Sequence, residues 1–440
     1  MNIPKKYIYI ASATLVLCLA GLFARCGPHE SSDERTHRFA REARPGSRTD
    51  TLARISQRSL TPTTQSALTA AALAQEPGFF KWMEPEIMTH LAAQSGNWDD
   101  PKTWGGSVPG KGARVYIPEG ITVKIGDLQS EHIKSLRVDG VLTLDPDNLS
   151  QLTVDSLLIA DGGALIAGTE SDPIPASAEV MIELKAYVDG ATTGADLAQA
   201  AQIIVLGDIQ LHGQPKTGMA TIKRPPLRGD RELVLDAPPV NWVPGDMIVL
   251  GGNQQMGSET EILQVESVSG RQVRLQPASG QENWGGLAYD YTPNQDQAAF
   301  AVNLTRNVAV STPAPPEDTA RNHPQGTLII ENSGENTAAL SHISSVGLGM
   351  EEGILPGHDH TLDRAAISVI DDGTGSGQSS ITGLALVNGP EVPVRIQNTQ
   401  VTVKDSVSFN EDGSGWLTET GSPSHLIWSA KRTVPTIMSR

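Results

Sequence analysis

Ser135-Leu136-Arg137-Val138-Asp139-Gly140, followed by Leu142, recurs as Ser156-Leu157-Leu158-Ile159, then Asp161-Gly162-Gly163 and Leu165. The offset is 21 to 23 residues. A looser third copy is Ile203-Ile204-Val205-Leu206-Gly207-Asp208-Ile209-Gln210-Leu211. Apolar residues alternate within each copy, and Gly or Asp closes each run, which is the pattern of strands and tight corners and not of helices. A repeat near twenty residues suggests stacked coils of a β-solenoid, each burying its inward side chains against its neighbours. An antiparallel sandwich of similar hairpins is the alternative reading.

The same alternation starts earlier, at Val115-Tyr116-Ile117 and Ile121-Thr122-Val123-Lys124-Ile125. Composition agrees with an all-β body. Of 440 residues, 43 are Gly and 29 Pro, and only 19 are aromatic, while 38% are apolar. Such a chain builds its core from Val, Ile, Leu and Ala. Both cysteines, Cys18 and Cys26, lie near the N-terminus, so no disulfide staples the body. The net charge is −17 and falls mainly on the body, because residues 1 to 60 hold ten basic and five acidic residues. An acidic body repels phosphate backbones, which argues against a nucleic-acid partner.

Lys5 and Lys6 precede seventeen uncharged residues, Tyr7 to Phe23, ended by Arg25. This is the pattern of an export signal or a single-span anchor helix. Ala20 offers a cleavage point, and a lipid on Cys26 is disfavoured by Arg25 beside it. Residues 27 to 78 are rich in Ser, Thr, Arg, Gln and Ala and read as a flexible tether.

The stretch from Gly96-Asn97-Trp98-Asp99 through Trp104-Gly105-Gly106-Ser107-Val108-Pro109-Gly110, with Val115 to Gly120, resembles the opening of the G-eight domain, named for its glycines. Leu211-His212-Gly213 resembles its closing rung. The likeness continues through Trp242-Val243-Pro244-Gly245-Asp246 and Leu304-Thr305-Arg306-Asn307-Val308. It implies a right-handed parallel β-helix, as in vertebrate cell-surface hyaluronidases, fibrocystin-like receptors and bacterial surface proteins. The implied layout is an export or anchor segment over 1–26, a linker over 27–78 and a G-eight-like solenoid over 79–215. A short β segment over 216–300 and a truncated β-helix over 301–440, capped by Ser424 to Arg440, complete it.

The hyaluronidase-like members carry Arg-Tyr-Pro-Ile-His-Phe-His where this chain has Arg364-Ala365-Ala366-Ile367-Ser368-Val369-Ile370. Ser368 and Ile370 replace both histidines and supply neither acid/base chemistry nor metal ligation. Other candidates lie nearby. His358, His360 and Asp363 concentrate transition-metal ligands, and Asp371 and Asp372 with the following Gly/Ser run suit calcium. A polar surface loop is the preferred reading of each group. Glu411, Asp412 and Glu419 are the carboxylates from which a glycosidase pair would be drawn. Trp416 beside them offers a stacking platform for sugar. Arg364, Arg306 and Arg395 would bind glycan if they gather in one groove, although Arg306 and Asn307 also read as corner residues. Trp98 and Trp104 read as an end cap, and Gly245-Asp246 as a turn.

No Ser-His-Asp, phosphate-loop, dinucleotide or paired-Cys metal motif is present. The sequence therefore leads to an exported, membrane-tethered polysaccharide-binding protein, with a hyaluronidase-like glycosidase or lyase as the alternative.

Overall fold

The computed structural model describes residues 80, 83–185, 201–250, 261–278, 284–291, 299–313, 326–331, 336–349, 365–370, 378–387, 394–397, 401–410, 417–419, 427–429 and 437–438. The apolar run from Tyr7 to Phe23 and the tether lie outside them. Among the described residues no helix is long and apolar enough to cross a membrane.

The body is all-β, and its main stack is parallel. The first coils have strands on two faces, and from Leu149–Ile159 onward a third face is added. The first face holds His90–Leu91, Arg114–Ile117, Ile133–Val138, the later half of Leu149–Ile159, Gln202–Val205, Thr327–Glu331, Ile367–Ile370, Val394–Gln397 and Leu417–Glu419. The second is a nine-stranded sheet running from Gly96–Asn97 through Thr122–Ile125, Val141–Leu144, Ala164–Ala167, Asp208–His212, Thr337–Ser341, Gln378–Thr382 and Val401–Lys404 to Ile427–Ser429. The third begins with the earlier half of Leu149–Ile159 and continues through Glu179–Leu184, Val308–Ser311, Ile343–Val346, Ala385–Val387, Val407–Asn410 and Ile437–Met438.

The repeat read from the sequence is the stacking register. Leu136 lies on Leu157 and Val138 on Ile159, while Leu142 lies on Leu165. Ile203 lies on Leu157, so the looser third copy is the next coil. Alternate residues face inward because successive strand side chains point to opposite sides. Leu136, Val138, Leu157, Ile159, Ile203 and Val205 are all 0% exposed in one continuous core, each worth roughly 1.5–3 kcal/mol in removed apolar surface. The corners need glycine for room: a Cβ on Gly163 would run into the carbonyls of Val138 and Ala160, and one on Gly207 into that of Gly163. Trp98 and Trp104 close the N-terminal end, buried and edge-to-face at 4.9 Å, with Trp104 Nε1 donating to the Trp98 carbonyl at 2.6 Å.

The antiparallel part is not a link between two solenoids. It is an insertion into one. After Asp208–His212 the chain leaves the stack, forms a six-stranded sheet from Met219–Thr221 to Phe300–Asn303, and returns at Val308 on Val180. The last strand of that sheet runs past residue 300, where the sequence suggests a boundary. Local patterning cannot show this continuity, because Val180 and Val308 are far apart in sequence. The isolated bridge between Ile222 and Leu235 closes the sheet into a small barrel, around a core that includes Leu233, Ile248, Leu263, Val265 and Tyr291.

In Met247–Leu250 the two faces are used differently: Ile248 and Leu250 enter the barrel core, and Met247 and Val249 pack on Ala385, Val387, Val407 and Phe409 of the third solenoid face. Residues 424 to 440, expected as a cap, instead contribute Ile427–Ser429 and Ile437–Met438 to the second and third faces.

Candidate functional site

A solenoid presents its outward residues in straight rows, one row per register position, at strand steps of about 4.8 Å. On the second face, one row runs Gln210, Ala339, Ser380, Thr402. The next runs His212, Ser341, Thr382, Lys404. Between them Leu211, Leu340, Ile381 and Val403 point inward and are buried. Ser380 is exposed, and Gln210, Ala339, Ser341, Thr382, Thr402 and Lys404 are half-buried. The result is a track of mostly short side chains, with four hydroxyls, the Gln210 amide and one lysine. His212 ends it: burial first, and the nearby His342 second, hold its imidazole down at about 4.

On the first face, the outward row Ile329, Ser368, Arg395 runs beside the row Glu331, Ile370, Gln397, Glu419. The two positions at which the hyaluronidase-like pattern has histidine, 368 and 370, thus both point outward. Ser368 lies beside Arg395, and Ile370 beside Glu331. Glu331, Ser368 and Arg395 are nevertheless only 7%, 6% and 5% exposed. Glu331 and Glu419 are three strand steps apart, about 14 Å between backbones.

Arg306 has a different place from the groove foreseen for it. It sits where the chain re-enters the solenoid, 6% exposed. Its Nε donates to the Gly383 carbonyl at 2.8 Å, and Nη1 donates to the carbonyls of Thr305 and Asn303 at 2.8 and 3.1 Å. Burial lowers its pKa to about 10 despite the nearby Asp246. A guanidinium so committed holds the joint and offers nothing to a surface ligand, and it does not gather with Arg395 on the first face. Asn307 completes the corner: its amide donates to the carbonyls of Ile174, Pro175 and Ala178, and its oxygen accepts from Gln214 N at 2.8 Å. Asp246 does make its turn, with Oδ2 accepting from Val243 N at 3.0 Å, and it is 1% exposed.

Arg364, Trp416, Glu411, Asp412, His358, His360, Asp363, Asp371 and Asp372 lie outside the described residues. Glu419 is placed by backbone register alone. Among the described residues no group of three or more His, Cys, Asp or Glu is arranged to hold a metal. The second-face track escaped the sequence reading because Ser, Thr and Ala carry no chemical motif. Placing residues 210, 339, 380 and 402 on one coil register was the signal that would have found it.

Residues 103–222 match the G8 domain. Relatives include dog fibrocystin, 29% identical over 230 residues covering 49% of this chain and 5% of that protein. Mouse fibrocystin is 28% identical over 271 residues, 57% of this chain and 6% of the relative, and human fibrocystin-L is 30% identical over 189 residues, 40% and 4%. The chain therefore spans about a twentieth of the length of these relatives. Among solved structures, the tailspike of Pseudomonas phage phi297 aligns with 66% of this chain and 42% of its own at 12% identity and a TM-score of 0.19. The tailspike of Acinetobacter baumannii phage AP22, solved with a capsular saccharide, aligns at 10% identity over 63% and 53%, with a TM-score of 0.17.

Proposed function

We propose that this chain, a G8-domain protein homologous to fibrocystin and fibrocystin-L, is an extracytoplasmic protein that binds polysaccharide along the second face of its solenoid. The observation that carries this reading is the track from Gln210 and His212 to Thr402 and Lys404. Most of its side chains are short, and all but Ala339 carry hydrogen-bonding groups at a regular step, which suits an extended chain of sugars better than a compact small molecule. The charged run ahead of the apolar segment from Tyr7 supports export, with cleavage and anchoring both compatible with its length. Binding is favoured over cleavage because the positions that would bear imidazoles hold Ser368 and Ile370.

Affinity electrophoresis of the full chain through gels holding neutral or acidic polysaccharides tests this. Ala339→Ile and Ser380→Ile place branched side chains across the track without adding an aromatic surface that sugars stack on. At least one polymer should retard the wild-type chain, and the double variant should lose at least tenfold in affinity. Equal retardation of the variant, or none of either protein, would sink the reading; shortening of any polymer during the run would replace it with an enzyme.

A further inference from the structure

The barrel carries a feature unrelated to the track. In a chain of net charge −17, residues 223 to 231 hold Lys223, Arg224, Arg228 and Arg231 against one acid, Asp230. All four cations are exposed. This loop is built against residues 287–291: Gly229 N donates to the Leu287 carbonyl at 2.8 Å, Leu287 N to Asp230 at 2.9 Å, and Tyr291 N to Pro226 at 2.9 Å. The two segments run antiparallel, which brings Leu227 and Arg228 alongside Tyr289. Leu227 is 51% exposed and Tyr289 37%, two of six large apolar side chains exposed among the described residues.

Two of the nearby acids hold the loop, and the exposed Glu232, next to Arg231, accepts from Gln272 Nε2 at 3.1 Å. Asp230 Oδ2 accepts from Leu227 N at 2.9 Å and from Arg224 at 3.3 Å, while Asp290 Oδ1 accepts from Arg228 N at 2.7 Å. Arg231 lies over the Trp284 ring at 5.8 Å and donates to the Trp284 carbonyl. Arg224 keeps 70% of its side chain exposed in spite of its contact with Asp230.

We propose that this rim is a docking surface for an anionic phospholipid bilayer. Leu227 and Tyr289 enter the interfacial layer, where a leucine leaves water and a tyrosine keeps its hydroxyl wet. The arginine stems lie along them and carry their guanidinia to the headgroups, attracted by the negative surface potential over about one Debye length. The remaining body is acidic and is held off the same surface, so contact is confined to the rim and sets the orientation of the solenoid. A nucleic acid or a sugar polyanion would satisfy the cations and leave Leu227 without an apolar partner, which is why the bilayer is preferred. The inference does not rest on polysaccharide binding, since it uses no residue of the second-face track.

Hydrogen exchange on the full chain, mixed with vesicles of phosphatidylcholine alone or with phosphatidylglycerol, reads the rim directly whatever the N-terminal segment does. Phosphatidylglycerol should slow amide exchange across 224–231 and 287–290 at least threefold at low salt, and high salt should abolish the effect. Leu227→Ser and Arg228→Ser should each remove most of it, while exchange in the barrel strand Met247–Leu250 stays unchanged. No lipid-dependent slowing, or equal slowing by soluble dextran sulfate without vesicles, would overturn the proposal.

Discussion

Lys216 and Asp246 meet at 2.6 Å, with the lysine side chain 10% and the carboxylate 1% exposed, at the joint between barrel and solenoid. The second carboxylate oxygen accepts from Asn303 Nδ2 at 2.8 Å and from Val243 N. Asn303 in turn takes Thr305 N, and Thr305 Oγ1 takes Met247 N. One buried ion pair thus ties the departing chain, the barrel turn and the returning chain together. Removing one partner strands the other charge away from water, at a cost of about 3–5 kcal/mol. Lys216→Met should lower stability by that amount in urea titration. Lys216→Met with Asp246→Leu should cost less than the sum of the single changes, and simple additivity would show that the pair is not coupled.

Arg306 supports the same joint from the solenoid side. Its fork reaches three backbone carbonyls, a geometry that lysine's single ammonium cannot reproduce. Both Arg306→Ala and Arg306→Lys should destabilise the chain, by about 2–4 kcal/mol for the alanine, because buried carbonyls lose charged donors. Polysaccharide affinity per folded molecule should not change. A selective loss of affinity at wild-type stability would return Arg306 to the binding site.

Two histidines near this joint make stability depend on acid. His212 is held down at about 4 by burial and by His342, and His342 is held down at about 4 by burial and by Arg306, against the opposing pull of Asp405. In the unfolded chain both titrate near 6.5. The unfolded state therefore binds protons first, so stability is complete above about pH 6.5, falls as the pH drops towards 4, and then levels. His212, nearly buried, supplies at most about 3 kcal/mol of this change, and the partly exposed His342 less. Glu179, raised by burial, works in the opposite sense. Comparing His212→Gln with wild type cancels that background. The wild-type denaturation midpoint should fall more between about pH 7 and 4.5 than the variant's, and parallel curves would refute the assignment.

Strands, corners and coil register were legible in the sequence because a solenoid repeats its contacts at short intervals. Leu136 on Leu157 and Leu142 on Leu165 are neighbours that a self-comparison of the chain finds. The insertion was not legible, because its two ends meet through Val180 and Val308, a pairing that only the folded stack brings together. The site was less legible still. A guanidinium that binds carbonyls and one that binds glycan look the same as letters, and Arg306 admits both readings in the sequence. Ser380 and Thr402 are individually ordinary; only their common row gives them meaning.

The corners allow a last distinction, between glycine needed for backbone conformation and glycine needed for space. Gly120 has φ of +76° and nothing within 4 Å of an added Cβ. Gly120→Ala therefore adds only left-handed strain, about 1–2 kcal/mol. Gly163 is in an ordinary backbone region, but an added methyl meets the carbonyls of Val138 and Ala160. Gly163 N also donates to Ala160 at 2.8 Å, and its carbonyl accepts Asp208 N at 2.9 Å, so the methyl gains room only by parting three stacked coils. Overpacking against fixed backbone costs about 1–3 kcal/mol and occasionally more. Gly163→Ala should thus be the more damaging change, and should speed hydrogen exchange in the strands on both sides of it, Val141–Leu144 and Asp208–His212. Gly120→Ala should disturb its own turn alone. Equal thermal shifts for the two variants, with no spread of exchange from Gly163, would mean that the coils can separate at that corner at little cost.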